Sequence, residues 1–187
     1  MSDSELEIAA ASYSRGDWKD AFNRYKELAE TGCVECQRFV GWMYFRGEGV
    51  NVDLEKAMYW LKEAAQAGDQ EAAFGVGRAY MSKQEYETAY SWYKKGAEEE
   101  FLPSIYWIAR FNRDGYGVKR DEEKAFLMFK LGASLGHLKS LREYSIWLLK
   151  GSRGIFGIPI GFFLFVKLVL LSIRQAIKDP LDYKGMI

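Results

Sequence analysis

Histidine and cysteine are scarce in this sequence, and their scarcity excludes most metal-centred and nucleophilic chemistry. The 187 residues include one histidine, His137, and two cysteines, Cys33 and Cys36. No Ser/His/Asp arrangement, no H-E-x-x-H motif and no strand–glycine loop–helix phosphate site is present. We therefore predict a protein that is not an enzyme, with no catalytic residues, no metal and no cofactor.

Cys33 and Cys36 stand in a C-x-x-C pair. One such pair supplies only two of the four ligands of a structural zinc site, and His137 lies far along the chain. A redox pair or half of a shared metal site is one hypothesis, which full function after replacing both cysteines by serine would dismiss. We favour two small residues at a turn, because the βαβ context of redox motifs is missing. The acidic N-terminus lacks the features of a secretory signal, so we expect a reducing compartment.

The net charge is zero, because 26 Lys and Arg residues balance 26 Asp and Glu residues. The two ends of the chain differ, however. Residues 1–136 contain 18 basic and 23 acidic residues, whereas residues 137–187 contain 8 and 3. Because basic residues are not in excess over the domain as a whole, we predict no nucleic-acid partner.

A segment of about 36 residues recurs along the chain. Its small and aromatic positions return at constant offsets: Gly41 and Tyr44 as Gly77 and Tyr80, Gly47 and Gly49 as Gly115 and Gly117, Ala57 as Ala89 and Ala125, and Gly68 as Gly136. Self-similarity at this period is typical of a helical solenoid, in which each unit is a helix pair. We predict an all-α domain over residues 1–150, with units at about 4–32, 34–69, 70–101 and 102–136 and a half unit at 137–150.

Two local predictions follow from the small and acidic residues of these units. Gly41 has no side chain, so the second helix of its unit can approach at Ala57 and Ala64, with Trp60 and Leu61 filling the space beside them. Asp17 is placed to cap the second helix of the first unit.

The second unit resembles the Sel-like repeat, a branch of the tetratricopeptide-repeat superfamily. The match lies in Gly41-x-x-Tyr44-x-x-Gly47-x-Gly49-Val50, followed by Asp53-x-x-Lys56-Ala57-x-x-Trp60-x-x-x-Ala64-Ala65-x-x-Gly68. The resemblance extends over about residues 4–150. It implies an α-solenoid, a right-handed superhelix of antiparallel helix pairs whose first helices line a concave groove. It also implies that the protein is an adaptor that connects other proteins and does not catalyse a reaction.

If the units superpose on tetratricopeptide repeats, one set of first-helix positions faces the groove. Arginines and aromatic residues interleave at these positions, which suits a peptide or helix that carries acids and apolar anchors. The alternative is that several of these rings pack between repeats and the arginines only meet solvent. The predicted groove residues are Arg38, Trp42, Phe45, Arg46, Phe74, Arg78, Met81, Tyr106, Arg110 and Arg113.

Residues 155–173 form one long apolar run with a single charge, Lys167. A helix that is apolar on every side is buried in a large core or lies in lipid, and four repeats do not supply such a core. The run would extend about 28 Å, barely enough to span a bilayer, but a basic stripe after Val166 is typical of an interfacial helix. We predict membrane contact by residues 151–187 and leave spanning, interfacial and protein-buried modes open. The predicted membrane residues are Ile158, Ile160, Phe162, Phe163, Leu164, Phe165, Val166, Lys167, Leu168, Leu170, Leu171 and Arg174.

The predicted function is a membrane-attached adaptor whose groove binds another protein, with a bacterial envelope assembly as one setting. The repeat domain is expected on the cytoplasmic side, and the sequence does not fix an oligomeric state. The alternative is a soluble interaction module whose apolar C-terminal helix docks into a partner or a homodimer interface.

Overall fold

The computed structural model describes residues 3–151, 154 and 157–178. All regular secondary structure in this part of the chain is helical. The ten helices described are α1 (Asp3–Ser14), α2 (Trp18–Glu30), α3 (Val34–Arg46), α4 (Leu54–Gln66), α5 (Gln70–Ser82), α6 (Tyr86–Glu98), α7 (Leu102–Asp114), α8 (Glu122–Ser134), α9 (Leu138–Leu149) and α10 (Gly157–Lys178).

The helices pack as consecutive pairs within two compact units, Met1–Phe101 and Leu102–Ile187. In the first unit, α1 packs on α2, α3 on α4 and α5 on α6, while α2 also contacts α3 and α4 also contacts α5. In the second unit, α7 packs on α8 and α9 on α10, with α8 contacting α9. Short connections between helices favour such antiparallel neighbours. The predicted all-α solenoid of helix pairs is confirmed.

Aspartates define where several helices begin. The carboxylates of Asp53, Asp69 and Asp121 accept hydrogen bonds from the backbone amides of Lys56, Ala72 and Lys124 at 3.0, 2.7 and 2.9 Å. Each bond satisfies one of the amide groups that have no partner within the first helical turn. The same role predicted for Asp17 was wrong. The Asp17 side chain makes no cap bond and pairs with Arg15 at 3.3 Å instead.

Small residues in the first helices admit large side chains from the second helices. A Cβ on Gly41 would lie 2.6 Å from Cγ of Leu61 and 3.2 Å from the carbonyl oxygen of Ala57. A Cβ on Gly77 would lie 2.6 Å from the ring of Tyr93. Leu61 and Tyr93 are fully buried as a result. The predicted approach to Gly41 is confirmed for Ala57 and Leu61, whereas the three nearest atoms include none of Ala64 or Trp60.

Gly49 fixes the loop between α3 and α4 against the start of α2. Its φ of +72° lies in the left-handed region, and a Cβ there would sit 2.2 Å from the carbonyl oxygen of Trp18. Glycine is therefore required at this position for two independent reasons. The loop in turn sets the positions of the last turn of α3, where Phe45 and Arg46 lie.

The last helix, α10, is long and apolar. It has 22 residues, which corresponds to about 33 Å at 1.5 Å per residue. Within the described residues it alone is long and apolar enough to cross a membrane, judged by length and composition over Gly157–Arg174. Ile155 and Phe156, where the predicted apolar run starts, lie outside the described residues.

Candidate partner-binding and membrane-binding surfaces

Two aromatic rings and two arginines come together where α3 meets α5. The rings of Trp42 and Phe45 contact edge to face, with their centroids 5.5 Å apart. The Arg46 guanidinium lies 5.1 Å from the Trp42 ring, and the Arg78 guanidinium lies 6.0 Å from the Phe45 ring. Both rings are half-buried and the Arg46 side chain is 51% exposed. We call Trp42, Phe45, Arg46 and Arg78 the α3–α5 cluster.

Gly75 of α5 allows the indole of Trp42 to lie close to the helix backbone. A Cβ on Gly75 would lie 3.1 Å from Cζ2 of Trp42 and 2.9 Å from Cδ2 of Leu61. The sequence analysis missed this residue, because Gly75 does not recur at the same offset in the other units. Its position two residues before Gly77 on the same helix was the one feature of the sequence that pointed to it.

Arg38, also predicted for the groove, has a structural role in the first unit. Its Nε lies 2.9 Å from the Asp69 carboxylate, and its guanidinium also pairs with Glu71. Asp69 caps α5 with its other oxygen, so Arg38 connects α3 to the start of α5. The Arg38 side chain is only 19% exposed. Its guanidinium is thus already engaged within the protein.

Phe74 and Met81, the remaining groove predictions of the first unit, differ in their contacts. The Phe74 ring packs against Tyr93 and Phe101, with centroid distances of 5.4 and 5.9 Å. Met81 is half-buried near the end of α5. Phe74 therefore belongs to the packing between helices, as the alternative interpretation proposed for some of the rings.

In the second unit, the predicted groove residues lie on α7 and face carboxylates of their own unit. Arg113 pairs with Asp114 at 2.7 Å and with Glu143 of α9 at 2.8 Å. Burial would raise the pKa of Asp114, but its hydrogen bonds and charge interactions with Arg113 and Arg110 hold that pKa below its usual value. Tyr106 packs against Phe129 and His137 at 5.8 and 5.5 Å.

Arg110 differs from Arg113 because part of its guanidinium is unsatisfied. The group lies 5.0 Å from the Trp107 ring, and Nη2 is 3.5 Å from the Asp114 carboxylate. Its Nε is buried and has no hydrogen-bond partner among the described residues. A buried donor without an acceptor is costly, whereas the exposed part of the Arg110 side chain, 30% of its surface, is open to a ligand.

α10 presents most of its predicted membrane residues to solvent. Gly157 and Gly161 are buried, and Leu164, Leu168 and Leu171 are half-buried. A Cβ on Gly161 would lie 2.9 Å from the carbonyl oxygen of Ser145 and from the amide nitrogen of Leu149, so the α9 and α10 backbones touch here. The exposed predicted residues are Ile158, Ile160, Phe162, Phe163, Phe165, Val166, Lys167, Leu170 and Arg174.

A family model for the Sel1 repeat matches residues 34–69, 70–101 and 102–137, which together exceed half of the chain. This chain belongs to the Sel1 repeat family. Sel1 repeat proteins bind other proteins and are generally not enzymes. The Sel1 units contain all ten predicted groove residues, whereas all of α9 and α10 lies beyond the last match.

Known proteins resemble this Sel1 repeat chain in sequence and in fold. The sel1-like repeat-containing protein L21 of Acanthamoeba polyphaga mimivirus is 35% identical over 84 residues, 45% of this chain, which spans only 16% of that relative's length. A Sel1 repeat protein from Oxalobacter formigenes superposes with a TM-score of 0.73 at 26% identity, over 87% of this chain and 71% of the other. MamA superposes with a TM-score of 0.60 at 16% identity, over 90% and 96% of the chains, and shows likeness of fold alone.

The two cysteines lie at the start of the first matched Sel1 repeat, and a disulfide joins them. Cys33 caps α3, where its sulfur accepts a hydrogen bond from the Cys36 amide at 3.3 Å. The predicted position at a turn between helices is thus confirmed, whereas the reducing compartment stays a prediction. Residues three apart in the first turn of a helix bring their side chains together.

No group of three or more His, Cys, Asp and Glu side chains in the described part of this Sel1 chain could hold a metal ion. The Cys33–Cys36 pair therefore gains no further ligands from the described residues around it.

Proposed function

We propose that this Sel1 repeat protein is a non-enzymatic adaptor that attaches to a membrane through α10 and binds a partner protein on its first helices. The observation that carries the proposal is α10 itself, an apolar helix with one face on α9 and most of its surface exposed. Large exposed apolar surfaces usually mark an interaction with a membrane or a protein. A bacterial envelope assembly is the setting we propose, since the similar Sel1 structure comes from the bacterium Oxalobacter formigenes.

The composition of α10 favours lipid as its partner. Phe162, Phe163 and Leu170 are each more than 60% exposed. Residues 157–178 contain no acidic residue, while Lys167 and Arg174 are exposed. An apolar helix with basic residues and no acids is typical of contact with a bilayer that carries anionic lipid.

We propose two sites for partner binding, the α3–α5 cluster within the first unit and Arg110 within the second. Half-buried Trp and Phe rings beside arginines are typical of residues that dominate binding energy. The Arg110 side chain is 30% exposed and its Nη2 lies 3.5 Å from Asp114, so the guanidinium can also bind a ligand carboxylate. A peptide or helix with acidic residues and apolar anchors fits each site by itself.

Photo-crosslinking in cells tests the partner-binding surface. A photoreactive residue at position 82, one helical turn after Arg78 of the α3–α5 cluster, should form a discrete adduct, whereas one at the exposed position 63 on α4 should not. Arg46→Glu should remove capture by the crosslinker at position 82. Lys94→Glu is the matched control, because it makes the same charge change at an exposed residue of α6. Equal capture by the two variants would contradict the proposal.

Membrane fractionation tests the attachment. The full chain should sediment with membranes, and Phe162→Glu with Phe163→Glu should release it, since both rings are exposed and the change leaves the core intact. A full chain that stays in the soluble fraction would contradict membrane attachment and favour a protein partner or a second copy on α10. Protease digestion of sealed membranes then tests the cytoplasmic side predicted for the repeats.

A further inference from the structure

The outward-facing residues of the second helices change from mainly polar to apolar along the chain. Ala21, Ala57, Ala89 and Ala125 are buried at the same position of α2, α4, α6 and α8. The residues two and six positions later point outward, and they are Asn23 and Glu27, Tyr59 and Glu63, Ser91 and Lys95, and Leu127 and Leu131. The first three helices thus have a charged residue six positions after the alanine, and α8 has a leucine there.

This leucine pair on α8 is part of an exposed apolar stripe. Leu127, Leu131 and Leu135 are 47%, 38% and 41% exposed, and they follow one another at intervals of four residues. Residues at this spacing lie on one side of a helix. Leu127 and Leu131 lie on α8 and Leu135 directly follows its last residue, so the stripe extends along the second half of the helix.

α10 lies on the same side of the second unit as α8. α8 and α10 are the second helices of consecutive pairs, and both pack on α9. Second helices of neighbouring pairs share one face of a solenoid. Gly161 contacts α9 as Ala57 contacts α3, and the residue two positions later, Phe163, is 68% exposed. The register therefore places Phe163 on the same face as Leu127.

We propose that the outer faces of α8 and α10 together lie flat on an anionic bilayer surface, with α10 in the membrane plane instead of across it. This inference rests on the membrane attachment proposed above and adds its geometry, its lipid class and two residues of a repeat helix, Leu127 and Leu131.

The packing of α10 on α9 favours the in-plane arrangement. The two backbones touch at Gly161, so a helix that crossed the bilayer would bring α9 with it. α9 exposes Lys139 and Arg142, and Lys150 follows directly after it. Charged side chains are costly in the hydrocarbon region. An amphipathic pair that lies at the interface keeps these charges in the headgroup layer.

The charges on the outer side of α10 favour anionic lipid over a second copy of the chain. Lys167 and Arg174 follow Phe163 by four and eleven residues, so they lie on the same side of α10, and both are exposed. The only acidic residue between positions 137 and 178 is Glu143, which already pairs with Arg113. A twofold dimer through this face would bring like charges together, whereas an anionic surface attracts them.

The test measures binding of the full chain to vesicles made of equal parts of phosphatidylcholine and phosphatidylglycerol. Leu127→Glu with Leu131→Glu should weaken binding at least about tenfold, since each leucine loses its apolar contact and gains a repelled charge. Thr88→Glu with Ser91→Glu is the control, because it adds the same charge at exposed positions of α6. The control should bind within about twofold of the parent. Epitope tags at both ends should stay accessible outside sealed vesicles.

Four outcomes would overturn the inference, and they separate it from the proposed function. If the leucine variant binds as the parent does while Phe162→Glu with Phe163→Glu does not, α10 attaches alone. If one tag becomes shielded, α10 spans the bilayer; in both cases membrane attachment stands. If the full chain binds no vesicles, membrane attachment fails as well. If it instead forms a dimer that Leu127→Glu with Leu131→Glu dissociates, the face is a protein interface.

Discussion

At the scale of single residues, the His137 side chain makes a helix cap sensitive to pH. Its Nδ1 accepts a hydrogen bond from the Ser140 amide at 3.3 Å and lies 2.8 Å from the Ser140 hydroxyl. Only an unprotonated nitrogen can accept from an amide. Burial, together with the charge of Lys139, holds the pKa of His137 below its usual value of 6.5.

His137 should therefore make the folded state less stable in acid. Between the lowered pKa and 6.5 the unfolded chain binds more protons than the folded one, so stability rises with pH and is lost as pH falls below about 6.5. His137→Asn keeps an N-cap side chain and removes this titration. Urea unfolding from pH 5 to 7.5 should show a smaller pH dependence in the variant. Identical slopes in the two proteins would contradict this account.

Individual residues show which contacts can be predicted from a single sequence. Gly41, Ala57 and Leu61 were predicted correctly because repeat spacing and helical periodicity determine which small residue meets which large one. Arg38 was assigned to the groove, but its partners Asp69 and Glu71 lie 31 and 33 residues away. An ion pair between repeats depends on side-chain geometry, which leaves no periodic signal.

At the scale of helices, Arg38 connects α3 to the N-terminus of α5. We expect Arg38→Ala to lower the free energy of unfolding by about 1–2 kcal/mol, because the charged hydrogen bond to the little-exposed Asp69 is lost. Arg24→Ala is the control: it removes an exposed pair with Asp20 within α2 and should change stability little. Denaturant titration measures both. Equal effects would show that Arg38 does not connect the repeats.

The pairing of α9 with α10 depends on Gly161. A side chain there would meet backbone atoms of Ser145 and Leu149, which cannot rotate away as a flexible side chain would. Gly161→Leu should therefore displace α10 and destabilise the second unit by about 1–3 kcal/mol. Phe163→Leu, at a residue that is 68% exposed, is the control and should have little effect. A Gly161→Leu protein with unchanged thermal unfolding would contradict the close contact.

At the scale of the whole molecule, repeat periodicity predicted the class of fold, and the apolar run predicted a distinct last helix. The face that α10 turns outward could not be predicted in the same way. Residues 157–166 are apolar on all sides, and in this half of the helix the contact of Gly161 with α9 distinguishes one side from the others. The exposed leucines of α8 were missed because leucine at helical spacing is usually a core residue.

One chain is thus proposed to bind a membrane through α10 and a protein partner through the α3–α5 cluster. Crosslinking in cells through a photoreactive residue at position 82, followed by separation of membranes from soluble material, tests both at once. We expect a partner adduct in the membrane fraction for the parent, and the same adduct in the soluble fraction for Phe162→Glu with Phe163→Glu. An adduct that is soluble in both proteins, or that forms in neither, would contradict the proposal.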